Sequence, residues 1–188
     1  LLRKGAKEGI TALFFSSYEK RMKHVKLDRI DLRILGALQR DGRMTNVDLA
    51  KIAGISAPPC LRRVRALEKS GHIRGYHADV APDKMGFGLT VFIQVGLGNH
   101  TEADLNHFAK LCEGWPQVRE CFMLTGETDF LVKVVSEDWE SFQKFLTTQL
   151  TCATNVVHVK SAPVMRRCKY ESGVPIDEQT AAPPASDE

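Results

Sequence analysis

What this sequence lacks narrows the field before any motif is weighed. Nowhere do about 18 apolar residues run together, so no stretch could span a membrane as a helix. Cysteine is sparse and scattered: Cys60, Cys112, Cys121, Cys152 and Cys168 are odd in number and contain no C-x-x-C pair. That argues against a disulfide framework and against the usual zinc spacings, and leaves free thiols in a reducing cytoplasm. The six histidines are equally dispersed, with no pair at helical ligand spacing, so no metal or cofactor is implied. A large charge of one sign is missing too, because the net charge is only +3.

What is present is an ordinary globular composition, 43% hydrophobic and 26% charged, over a length that allows one or two small domains. The distribution of charge is more telling than its sum. From Met22 to Val80 twelve Lys and Arg face six Asp and Glu, a balance of +6. From Leu89 to Tyr170 eight face nine, a balance of −1. One basic and one near-neutral part suggest a nucleic-acid module joined to something else.

The basic part centres on TNVDLAKIAGISAPPCLRRVRALEKSG, Thr45 to Gly71. It reads as two short helices joined by a Gly54 turn. Thr45 is placed to cap the first helix, with Asp48 in its first turn, and Leu49, Ile52 and Ala53 on one face. Ser56 is placed to cap the second, with Pro58 in the first turn where a missing N–H costs little. Leu61, Val64 and Leu67 are expected as its buried stripe, with Cys60 beside them. Pro59, Arg62, Ala66 and Lys69 fall opposite, and Arg63 and Arg65 at the borders. This is the pattern of a helix-turn-helix with a basic second helix; an all-helical core with solvated arginines shows the same local features.

Ahead of it, DRIDLRILGALQRDG gives an amphipathic helix with Asp28 as cap and Ile30, Ile34, Leu35 and Leu38 as its stripe. Residues 1–26 read as an N-terminal extension that need not be native, with Met22 as the natural start. After Gly71, HIRGYHADV alternates like a wing strand or hairpin, with Arg74 placed to touch phosphate, or like a plain connecting strand. The helical domain is therefore set at 27–80 and a linker at 81–88.

From Leu89 the period changes to two. Leu89, Val91, Ile93, Val95 and Leu97 alternate as a strand. A helix follows over Thr101 to Cys112, capped by Thr101 with Asp104. Val118 to Thr125 and Asp129 to Val135 are two more strands. Trp139, Phe142, Phe145, Leu146 and Leu150 mark a second helix, and Asn155 to Ala162 a fourth strand. Strand-helix-strand-strand-helix-strand is the ferredoxin-like order, whose sheet has one face left bare for a second copy to cover near Phe92. This domain is set at 89–170. The Pro-, Ala- and acid-rich residues 171–188 are expected to be disordered. The class is α+β.

LDRIDLRILGALQRDGRMTNVDLAKIAGISAPPCLRRVRALEKSGHIRGYHA resembles the DNA-binding half of the Lrp/AsnC (leucine-responsive/asparagine-type, or feast/famine) regulators. VRECFMLTGETDFLVKVV resembles their ligand-sensing domain, often called RAM. The resemblance covers about Leu27 to Tyr170. It implies a transcriptional regulator with a winged helix-turn-helix, double-stranded DNA as partner, and Thr45, Asn46, Ser56, Pro59, Arg62, Arg63, Arg65 and Arg74 at the DNA. It also implies dimers formed through the sheets, often assembled into octamers, and a small effector, usually an amino acid. The loop matching the family's effector motif is Gly126-Glu127-Thr128-Asp129-Phe130, with Leu124 before it and Ala162, Pro163 and Val164 as a second contributor. The chemistry fits, since Gly126 admits close approach and Glu127 and Asp129 can accept from an ammonium group. A plain hairpin turn would use the same residues.

Two other classes are weighed against it. Siroheme decarboxylases resemble the same two-part architecture, and catalysis would need His100, His107 or His158 in the cleft, though none has a patterned partner. The basic face of the second helix also has no purpose in that reading. A third class, an interaction module that senses amino acids without DNA, is one that a salt-dependent DNA shift would exclude.

Overall fold

The computed structural model describes residues 27–176, which divide into two compact units. The expected N-terminal extension, 1–26, lies outside the described residues, as does the chain after Ile176.

The first unit is helical: α1 (Arg29–Arg40), α2 (Asn46–Ala53) and α3 (Ala57–Lys69). α1 starts in a reciprocal cap. The Asp28 carboxylate accepts from the Asp31 N–H at 2.8 Å, and Asp31 accepts from the Asp28 N–H at 3.3 Å. Thr45 Oγ1 accepts from the Asp48 N–H at 3.2 Å to start α2. Gly54, at φ 74°, ends it in the left-handed region that glycine enters without strain. Ile34, Ala37, Leu49, Ala50, Ala53, Cys60 and Leu67 form the core. Four of these seven are Ala or Cys, so the core is built from small side chains.

Ile52 and Leu61, expected inside, face out at 43% and 38% exposure, and Ala50 and Cys60 are buried instead. The cause in α3 is geometric. Steps of three drift by about 60° each on a 3.6-residue helix, so residues 61, 64 and 67 spread over about 120°, whereas 60, 64 and 67 stay within about 60°.

After Gly71 the chain makes no ladder among the described residues, so of the wing strand or hairpin and the plain connecting segment left open by the sequence, the structure shows the plain segment. Its anchor is a side chain. Tyr76 donates its O–H to Glu68 Oε1 at 3.0 Å, and its ring packs at Gly42, 3.3 Å from where a Cβ would sit. Residues 171–176, the start of the expected tail, lie within this unit. Gln39 Nε2 donates to the Val174 carbonyl at 2.7 Å, and the Val174 N–H donates to Gln39 Oε1 at 3.0 Å. One amide side chain thus satisfies both backbone groups of a residue 135 positions away, which no local composition could signal.

The second unit, residues 80–168, opens with one 3₁₀ turn, Asp83–Met85. It continues as β1 (Leu89–Leu97), α4 (Glu102–Gly114), β2 (Val118–Met123), β3 (Phe130–Ser136), α5 (Trp139–Phe145) with a π-helical turn Leu146–Leu150, and β4 (Val156–Pro163). The strands form one antiparallel sheet in the order β2-β3-β1-β4, the expected ferredoxin-like arrangement. Its inner face carries Val91, Ile93, Val95 and Leu97 with Phe130, Val132 and Val134, packed on Leu105, Phe108 and Cys112 of α4 and on Phe142, Phe145 and Leu150. Phe108 lies 4.7 Å from Phe130, and Trp115 meets Phe108 and Phe145 edge-on at 6.2 and 5.5 Å. Trp139, expected in the stripe, is 54% exposed. It opens the helix, and its ring lies 5.4 Å from that of Phe142. Alternation sends Phe92, Phe122 and Leu131 to the other face of the sheet, where Leu131 pairs with Phe122 and Gln94.

Candidate nucleic-acid interface and effector loop

The outer face of α3 presents Pro58, Leu61, Arg62, Arg65 and Lys69, with Pro59 half-buried. Arg62 and Arg65 are exposed and have no ion-pair partner among the described residues. Arg63 behaves differently. One of its guanidinium nitrogens lies 2.6 Å from Asp28 and 2.8 Å from Asp31, so it ties α3 to the N-terminus of α1. Burial alone would raise the Asp28 carboxyl, but the Asp31 N–H and the Arg63 guanidinium hold it below the usual carboxylate range. The sequence placed Arg63 among the DNA residues; its geometry gives it a structural job.

Two other candidates are partly spent. Asn46 donates Nδ2–H to the Ala57 carbonyl at 2.9 Å, holding the start of α2 to the start of α3. The Thr45 hydroxyl, besides capping α2, donates to Asp48 at 2.6 Å. Ser56 occupies the cap position of α3 but makes no capping bond. The reason is visible in the sequence: a cap side chain accepts from the second or third helical N–H, and here those residues are Pro58 and Pro59. The Ser56 hydroxyl is therefore left over, and the helix start offers few backbone donors. Arg74 is exposed on the extended segment after α3.

In the sheet unit the loop between β2 and β3 divides in two. Leu124, Gly126 and Glu127 are exposed and Thr128 is half-buried, with Gly126 at φ 130°. Asp129 and Phe130 are buried, Phe130 in the aromatic core. The Asp129 carboxylate accepts from the Leu97 N–H at 2.7 Å and meets His100 Nε2 at 3.1 Å. Its backbone N–H donates to Val95 at 3.1 Å, and its carbonyl accepts from Leu124 N–H at 2.8 Å. Asp129 is thus the tie that closes the turn onto β1, and Glu127 is the carboxylate left facing out. His100, named above only as a histidine for catalysis, lies against the loop through Asp129; at 29 residues' separation the pairing gave no local signal.

Ala162, Pro163 and Val164 lie elsewhere on the sheet. Ala162 and Pro163 pair with Phe92 and Val91, and the Val164 N–H donates to Thr90 at 2.9 Å. The loop sits at the other end of β1, where Phe130 pairs with Val95. Four residues along a strand are about 13 Å. One chain therefore does not bring the two groups together. Of the histidines considered for catalysis, His107 is exposed on α4 and His158 is exposed on β4, while His100 is held by Asp129. Among the described residues no three His, Cys, Asp or Glu gather to hold a metal ion.

Comparison with known proteins bears on both units. Residues 27–74 match the model of a winged helix-turn-helix DNA-binding domain, and residues 90–174 that of the Lrp/AsnC ligand binding domain. The chain is 49% identical over 145 residues to a leucine-responsive regulatory protein of Rhizobium meliloti, covering 77% of this chain and 93% of that one. It is 40% identical over 151 residues to the Bkd operon transcriptional regulator of Pseudomonas aeruginosa, covering 80% and 99%. In three dimensions it is similar to a transcriptional regulator of Neisseria meningitidis solved in complex with L-Met, with a TM-score of 0.77, 35% identity and coverage of 81% and 99%.

Proposed function

The chain belongs to the Lrp/AsnC family of DNA-binding transcriptional regulators, and from that premise we propose which of its residues meet DNA and effector. α3 enters the major groove with Arg62 and Arg65 toward base edges and phosphate. Thr45, Ser56 and Arg74 flank it at phosphates, and Pro59 shapes the entry. One observation carries this reading: of the neighbouring arginines on α3, Arg63 is consumed by Asp28 and Asp31, while Arg62 and Arg65 are exposed with no ion-pair partner among the described residues.

The effector in this reading is an amino acid, as the L-Met complex of the Neisseria relative suggests. Glu127 accepts from its ammonium group and backbone N–H groups of the Gly126–Thr128 turn donate to its carboxylate. Because Ala162–Val164 lies at the opposite end of β1, those residues complete the site from another copy. Copies pair through the sheet face bearing Phe92, Phe122 and Leu131, and dimers assemble further, toward an octamer. Effector binding is then coupled to assembly, and assembly to affinity for DNA in the cytoplasm.

Isothermal titration with a panel of amino acids tests the effector half. Glu127→Gln should keep the fold and DNA binding but weaken the amino acid at least tenfold. Equal affinity in that variant, or no binding by the unaltered protein, would remove the loop from the site. Light scattering that returned a monomer at micromolar concentration would remove the composite site altogether.

A further inference from the structure

The helical unit carries a feature that neither DNA contact nor effector binding uses. An open groove runs along it, walled by Leu32, Leu35 and Leu38 of α1 on one side and by Ile73 and Tyr76 on the other. Residues Ser172–Ile176 form part of its wall. Their hold is by backbone: Val174 is bonded through both its N–H and its carbonyl to Gln39, while its side chain is 64% exposed. Gly173 sits at φ 84°, and any Cβ there would overlap the Gln39 side chain. Ile176 is the neighbour of Gly36 on α1, 3.8 Å from a Cβ built there, an ordinary van der Waals contact. Gly173 and Gln39, at positions far apart in sequence, are thus matched to each other.

We propose that the chain's own Ser172–Ile176 docks against Gln39 and Gly36 of α1 and acts as a strap on the DNA-binding unit, closing one wall of this groove. The strap and Tyr76 are walls of the same groove, and Tyr76 is bonded to Glu68 in the last turns of α3. A docked strap therefore steadies the end of the helix that carries Arg62 and Arg65. The hold described for Val174 and Ile176 is two hydrogen bonds and one apolar contact, which lets the strap release. The inference rests on the helical unit alone and stands whether or not an amino acid binds the other unit.

Amide hydrogen exchange on the full chain tests it, with Gln39→Ala, Gly173→Ala and Val174→Ala as variants. Gln39→Ala removes both bonds. Gly173→Ala forces Gln39 aside without touching the helical core. Val174→Ala trims a side chain that docking does not use. In the unaltered protein the Val174 amide should exchange at least tenfold more slowly than in a free peptide of residues 169–178. Protection should persist in Val174→Ala and vanish in the other two, which should also speed exchange at Glu68–Ser70 severalfold. A Val174 amide that exchanges at the peptide rate in the unaltered protein overturns the docking. Protection surviving in Gln39→Ala and Gly173→Ala overturns the assigned contact, and unchanged exchange at Glu68–Ser70 overturns the steadying of α3.

Discussion

The two units solve the problem of stability in opposite ways. The sheet unit buries thirteen hydrophobic residues, among them Phe108, Phe130, Phe142 and Phe145, with Trp115 packed at the edge. The helical unit buries seven, four of them Ala or Cys, and adds polar ties: the Asp28 and Thr45 caps, the Asn46 bond and the Arg63 bridge. A core so small supplies little hydrophobic stabilisation, so single polar contacts matter more there. The sheet unit has polar ties as well, the buried Asp129 bond to Leu97 and the Thr101 cap, but they stand beside a large aromatic core.

That contrast can be broken or sharpened by substitution. The largest effect is expected in the aromatic core: Phe130→Ala should cost about 3–5 kcal/mol in chemical denaturation followed in the sheet unit. Stability near the unaltered value would show that Phe108 and its neighbours do not depend on that ring. Next comes Arg62→Ala, which should leave melting unchanged and cost about 1–3 kcal/mol in DNA binding with relaxed sequence preference. Arg63→Ala should do the reverse, lowering the stability of the helical unit by about 1 kcal/mol, reduced by the partial exposure of the bridge, with sequence preference retained. If both variants lost DNA binding alone, the division between reader and tie would be wrong.

The smallest effect is the response to acid. The folded Asp28 carboxyl lies below its unfolded value of about 3.9, so its contribution is complete above about pH 4 and is lost as pH falls through the folded value. The melting temperature of the helical unit should therefore fall below about pH 4, and less steeply in Arg63→Ala. Parallel curves for the two proteins would show that the bridge does not set the acid limit.

The contrast also explains what could be read in advance. Alternation over Leu89–Leu97 and the caps Asp28, Thr45 and Thr101 depend on neighbours within a few residues, and these came out as expected. For Arg63 and Asp129 the local pattern left a structural role open beside the functional one, because the partners that engage them lie 32 to 35 and 29 to 32 residues away. Ser56 was a different failure. Its two prolines were in plain view, and an inventory of backbone donors would have shown that it has nothing to cap.

The order β2-β3-β1-β4 also sets a schedule for synthesis. β1 occupies an inner position in the sheet, yet its neighbour β4 begins only at Val156, and the register joins Val91 to Pro163. The three helices of the first unit are complete by Lys69 and close on one another through short loops, so they can fold while the ribosome is still at work. β1 must wait with a hydrophobic edge uncovered until nearly all the remaining chain has emerged. That interval, rather than the finished molecule, is where this protein is most exposed to aggregation. Slowing translation between β3 and β4 should lower its soluble yield, and a chaperone that covers strand edges should restore it.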